Sequence, residues 1–275
     1  MIEPSDSLPP APVTEPAQAQ PVAGTAPKEK DIFGREPVGY QDWSHRRGEP
    51  RVFALVWMIF LMAVTAMMFA ALSPARFISP QVARPAAQAM ILATVCGLTL
   101  FWPAVRLSQR PADRPLRSVF QDMFVLLVPA QAVIWPHAMS ALASWSWAVL
   151  TAVAAVFAAW SIVIGGLLAC ADAGPRAGRG RGLWMLVVLA VVFASPVTGV
   201  VTRGVSTAML ADPRPGWMLS PLTAVLEVTR DRSATGTPRP VSEAHWRLIG
   251  ATGCVGLALF CVAAAGGVAS RRRGA

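Results

Sequence analysis

Five stretches of this chain each supply roughly 20 consecutive, predominantly apolar residues, the length that crosses about 30 Å of hydrocarbon as an α-helix. They are residues 52–72, 86–105, 142–169, 183–202 and 248–269. A sixth stretch, 119–139, is less clean because Gln121, Asp122, Gln131 and His137 interrupt it. Residues 124–135 within it are otherwise apolar and short loops join it to its neighbours, so it is read as a span too. The expected fold is an all-α, polytopic transmembrane helical bundle of six spans over residues 52–270.

Charge supports this reading. Only 14% of the 275 residues are charged and 54% are hydrophobic, whereas a soluble domain carries about 25% charged residues. An ordinary soluble enzyme is thereby not expected. Residues 1–50 hold five of the 24 basic and eight of the 15 acidic side chains, which leaves nineteen basic and seven acidic beyond them. The apolar part is the basic part. Positive charge on a hydrophobic chain suits lipid phosphates and cytoplasmic loops; nucleic acid needs a hydrated basic face, which this chain lacks. Membrane lipid is therefore the expected partner, and no nucleic acid is.

The arginines set the orientation. Arg46, Arg47 and Arg51 precede the first span, Arg106, Arg110, Arg114 and Arg117 separate the second and third, Arg176, Arg179 and Arg181 separate the fourth and fifth, and Arg271, Arg272 and Arg273 follow the sixth. Only Arg76 and Arg84 lie in the opposing short loops. Positive-inside bias then places both termini in the cytoplasm. The long segment 203–247 carries six arginines and falls outside, where loops of that length weigh less in the rule. Most tryptophans, among them Trp102, Trp135, Trp145, Trp147, Trp184 and Trp246, fall near span ends, as interfacial anchors do; Trp57 and Trp160 lie deeper.

Residues 1–31 are rich in Pro and Ala and are expected to be a disordered tail, since they cannot bury enough apolar area to offset ordering entropy. They lack the basic start and apolar core of a signal peptide, so the first span is expected to act as an uncleaved signal anchor. Residues 32–51 mix Phe33, Tyr40 and Trp43 with Arg35, Arg46 and Arg47. Such a juxtamembrane segment either lies on the cytoplasmic surface with its rings in the interface or is a plain charged flank that sets topology.

No phosphate loop, dinucleotide fingerprint, His-Glu-x-x-His or Gly-x-Ser-x-Gly occurs, so no enzyme activity, cofactor or metal is expected. Cys96, Cys170, Cys254 and Cys261 sit on or beside spans without a Cys-x-x-Cys pair and read as small packing residues. His137 and His245 both fall at outer span ends, most simply as two unrelated interfacial histidines. The candidate intramembrane polar residues are Asp122, about one turn into the third span with Arg117 as its candidate partner, and Gln131 further along. They either line a hydrated path or helix interface, or, for Asp122, remain in the headgroup layer.

The outer loop 203–247 has its own grammar. Ser220 before Pro221 reads as an N-cap with proline at the first helical position, and Leu222, Val225 and Leu226 then share one face before Arg230 and Arg232. A short amphipathic helix over about 221–229, on or dipping into the outer leaflet, is predicted.

Six spans with both ends inside, the charged aromatic segment before the first, Ser-Pro-Leu-Thr-Ala at 220–224 in an enlarged last outer loop and an Arg-rich end together resemble the membrane (permease) subunits of six-helix ABC-type exporters. The resemblance covers roughly residues 32–273. It implies a bacterial inner (plasma) membrane protein that dimerises, exports a lipid-like or amphipathic substrate, and is powered by a separate phosphate-loop ATPase docked on the cytoplasmic face. Tyr40, Trp43, Arg46 and Arg47 combine rings with arginines, the residue types of interface hot spots, and are the candidate docking contacts. The alternative is a non-transporting integral membrane scaffold or assembly factor.

Overall fold

Proline opens four of the helices. Its fixed φ and missing N–H suit the first turn of a helix, where that N–H has no partner in any case. In the computed structural model, which describes residues 50–75, 79–109, 114–173, 180–202, 214–231 and 237–274, Pro50 begins α1 (Pro50–Leu72), Pro80 begins α2 (Pro80–Cys96), Pro115 begins α4 (Pro115–Ile134) and Pro221 begins α7 (Pro221–Val228). Helix α2 passes through a π turn, Gly97–Phe101, straight into α3 (Trp102–Ser108). The other long helices are α5 (Trp147–Ala173), α6 (Arg181–Thr202) and α8 (Glu243–Gly274). Among the described residues there is no strand, only a single antiparallel bridge between Asp231 and Pro238. The protein is all-helical, and the described residues lie in one unit, Trp43–Ala275.

Five helices are long and apolar enough to cross a membrane: Val52–Leu72, Pro80–Ser108, Pro115–Ala138, Trp147–Ala173 and Glu243–Gly267. In α6 the apolar run Arg181–Ser195 is shorter. Helices α2, α5 and α8 each begin five or six residues away from the apolar runs that predict them. Helix α2 starts at Pro80, because Ser79 and Pro80 provide a start signal ahead of the apolar run. Helix α5 starts at Trp147 and not near 142, because the preceding residues fold into a turn: the Ser144 N–H donates to the Met139 carbonyl and the Trp145 N–H to the His137 carbonyl. Ser144 takes up a positive φ of 51° there.

The core is built around α5, of whose most apolar window 72% is buried, against 22% in α8. Phe157, Ile164 and Leu168 from α5 meet Leu98, Trp102 and Leu126 in one cluster. The most extensive pairing is between α5 and α8, and glycine makes it possible. A Cβ on Gly256 would stand 2.7 Å from the backbone of Ile162 and Val163, and one on Gly166 would stand 2.9 Å from the Gly256 carbonyl. Small residues that let helix backbones touch are the usual means of helix association in lipid, where no hydrophobic force separates protein from solvent.

Side-chain contacts distinguish the two ends of the bundle. At the near end, where α1 and α4 begin and α3 and α5 finish, Arg106 of α3 reaches Asp122 of α4 and Asp172 of α5. At the far end, Trp135 and Trp147 meet at 5.9 Å across the α4–α5 connection, and α2 contacts α7.

Candidate functional site

The polar chemistry of the described residues gathers in two buried charge clusters, one at each end. The far-end cluster is organised by α7. Ser220 caps this helix by accepting from the Leu222 N–H at 3.3 Å, and its hydroxyl donates to the Val192 carbonyl of α6 at 2.5 Å. Thr223 lies 3.1 Å from Ser195, also on α6. The prediction of a helix at this place is met, but its setting differs. Val225 is buried as expected, yet Leu222 and Leu226 are only half-buried, while Thr223, Ala224, Glu227 and Val228 are buried as well. Helix α7 is packed by α2, α5 and α6 on several sides, so protein encloses most of it.

Glu227 is the one charged side chain of α7, and its partners are the reason it tolerates this buried position. Its side chain has no exposed surface, and Arg214 pairs with Oε2 at 2.5 Å through Nη2 while donating to it at 2.6 Å through Nε. The Arg214 backbone N–H donates to Oε1 at 3.2 Å, and Arg230 pairs with the same oxygen at 3.0 Å. The Arg214 guanidinium also lies 3.8 Å over the Trp217 ring. A buried carboxylate is costly unless its charge and lone pairs are met, and here two arginines and a backbone amide meet them. Beyond Glu227 the chain is stitched to α2: Gln88 donates to the Thr229 carbonyl at 2.8 Å, and Arg84 lies 3.5 Å from Asp231 while donating to the Ala143 carbonyl at 3.0 Å.

The near-end cluster contains the sequence candidate Asp122. Its partner is not Arg117, which is exposed on α4, but Arg106, whose Nη1 lies 3.8 Å from Asp122 Oδ2. The Trp102 indole N–H donates to the same oxygen at 3.4 Å. Arg106 Nη2 is 3.6 Å from Asp172, so one guanidinium links α3 to both α4 and α5. Arg117 precedes Asp122 on the same helix by five residues, more than the three or four that bring side chains together; Arg106 arrives from a different helix. Trp102 is fully buried in this cluster and Trp145 is 2% exposed, so neither faces lipid as an anchor would, in contrast to the exposed Trp147 and Trp246.

Gln131 does not join Asp122. Its Nε2 donates to the Leu127 carbonyl at 3.3 Å and its Oε1 accepts from the Trp135 indole at 2.9 Å, so the amide is used within its own stretch of chain. His137 is buried against the edge of Trp145, with ring centroids 5.6 Å apart, whereas His245 Nδ1 lies 2.7 Å from the Ser242 hydroxyl. Cys254 and Cys261 are exposed on α8, and Cys96 and Cys170 are half-buried. Among the described residues no three of His, Cys, Asp and Glu gather as a metal-binding group. Tyr40, Trp43, Arg46 and Arg47, with the 1–31 tail and most of 32–51, lie outside the described residues.

Sequence reasoning passed over Glu227, Arg214, Arg84, Arg106 and Asp172 as site residues. A signal was present. Only seven acids follow residue 50, and an acid beside an apolar run is rare enough to demand a partner. No family model, no curated protein and no solved structure matches this chain.

Proposed function

We propose that this protein is the permease subunit of an ABC-type export system in a bacterial inner membrane, moving a lipid-like or amphipathic substrate. In this reading α6, Arg181–Thr202, is a sixth span, the near end and both termini face the cytoplasm, two copies assemble, and a separate phosphate-loop ATPase drives the cycle. The observation that carries the reading is α7: a short Ser-Pro-capped helix in the last far-end connection, held between α2, α5 and α6. That placement accords with the short helices in the last outer loop of the exporter subunits the sequence resembles. The near-end arginines, Arg114, Arg117 and Arg181, accord with a cytoplasmic near end by the positive-inside rule.

Two measurements test this. Reporter fusions after Arg117, Arg181 and Arg273 are expected to report cytoplasm, and a periplasmic signal from any of them rejects the six-span orientation. Affinity purification of the full chain from native membranes, followed by mass spectrometry, is expected to recover a phosphate-loop ATPase. Joint replacement of Tyr40, Trp43, Arg46 and Arg47 by alanine is expected to release it while membrane insertion persists. Recovery of no such ATPase with the unmodified protein removes the transport reading and leaves an integral membrane scaffold.

A further inference from the structure

The helix running from Pro80 to Ser108 is not α-helical throughout. Over Gly97–Phe101 it widens into a π turn, in which the Trp102 N–H donates to the Gly97 carbonyl five residues back. Pro103 follows at once. It has no N–H to offer the Thr99 carbonyl, and its ring would press on that carbonyl in an α register. A π turn inside an α-helix adds a residue to the turn, and such turns occur frequently at functional sites.

The two arms on either side of the turn are held differently. Helix α2 is anchored at the far end by direct hydrogen bonds, Arg84 to the Ala143 carbonyl at 3.0 Å and Gln88 to the Thr229 carbonyl at 2.8 Å. Helix α1 bears on the turn itself, since a Cβ on Gly97 would stand 2.5 Å from the Phe60 ring and 2.9 Å from that of Trp57. Helix α3 is a seven-residue arm whose polar ties to α4 and α5 run through Trp102 and Arg106. Those ties span 3.4–3.8 Å, longer than the roughly 2.7–2.9 Å of a well-made charge-assisted hydrogen bond and longer than the 2.5–3.2 Å of the contacts around Glu227. Nε and Nη2 of Arg106 are buried without a hydrogen-bond acceptor among the described residues. Nη1 donates to Gln109 Oε1 at 3.4 Å, so the guanidinium faces two carboxylates without a close bond to either, and closing on one would relieve the cost of its unmet buried donors.

The geometry points to α3 being a hinged latch. It pivots on the Gly97–Phe101 turn between a closed position, in which Trp102 and Arg106 tie α4 to α5 through Asp122 and Asp172, and an open one in which these pairs part and the near end loosens between α3, α4 and α5. The far-end arm, α2, stays in place. The latch rests on the two arms of one helix and does not require that the chain transports anything.

The test uses the full chain in lipid nanodiscs of phosphatidylethanolamine and phosphatidylglycerol, with the four native cysteines replaced by alanine. Spin labels are placed through Ser108→Cys and Arg117→Cys, both exposed positions at the near end. Pulsed electron resonance is expected to give two distances. Asp122→Asn with Asp172→Asn is expected to shift the populations toward the longer distance by at least about tenfold, the change that removing a coupling of typical allosteric size produces. One unchanged distance in both proteins overturns the latch. Hydrogen exchange on the unmodified protein decides the matter independently should the double variant fail to fold. Amides at 104–108 are expected to exchange at least about tenfold faster than those at matched depth in α4 (118–122) and α5 (168–172), as a locally opening segment does; equal protection overturns the proposal.

Discussion

Glu227→Ala is expected to destabilise the protein by about 3–5 kcal/mol, the usual cost of removing one partner from a buried ion pair. The carboxylate it removes is fully enclosed, and Arg214, whose Nη2 and Nε both hold it, has a side chain only 13% exposed. Most of the cost therefore lies in stranded positive charge and not in lost packing. This makes the prediction specific. In a background carrying Arg214→Met and Arg230→Met, the same Glu227→Ala substitution is expected to cost much less, because no charge remains to be orphaned. Thermal unfolding in detergent, followed by tryptophan fluorescence, measures both. Equal losses in the two backgrounds would mean that Glu227 acts through its shape alone.

The second large effect lies on α8. Gly256→Ala is expected to cost roughly 3 kcal/mol, at the upper end of overpacking effects, because the added methyl would meet the backbone of Ile162 and Val163 at 2.7 Å. Backbone cannot turn aside as a flexible side chain does, so α5 and α8 must separate along their whole contact. The control is on the same helix. Gly250 and Gly253 have nothing within 4 Å of a built Cβ, so Gly250→Ala or Gly253→Ala is expected to stabilise α8 by about 0.5–1 kcal/mol through helix propensity. One substitution of one residue type, with opposite signs three residues apart, is read directly from melting temperatures. A loss at Gly253 as large as that at Gly256 would show that the approach of Gly256 to the Ile162 and Val163 backbone is not what sets the cost.

What the sequence makes legible follows the range of the interactions. Ser220 and Pro221 place α7 correctly because a cap and a first-turn proline are local signals, and the apolar runs place five spanning helices because length and composition suffice. The burial of α7 is not local. It depends on Val192, Ser195 and Gln88, which are 28, 28 and 141 residues from their partners. Asp122 stands out as a polar residue in an apolar stretch, but its partner could not be chosen from the sequence: Arg117 is near in the chain, whereas Arg106 is near in space. Arg84 and Arg106 read as loop and flank charges because arginine at a span end usually is one. Here each is turned into protein, 7% and 8% exposed, and only the packing of other helices around α2 and α3 reveals it.

The glycine seam between α5 and α8 also imposes an order on biogenesis. Helix α5 is the most enclosed span of the bundle, yet the helix that covers much of it is made about seventy residues later. As the chain leaves the ribosome, α5 enters the bilayer with its groove at Ile162–Gly166 open to lipid, and the intervening α6 and α7 are laid down before α8 arrives to displace that lipid. Insertion of the spans and closure of the core are thus separate events, as in two-stage assembly of membrane helices. Between them the nascent protein carries Gly165 and Gly166 without the α8 residues that later pack on them.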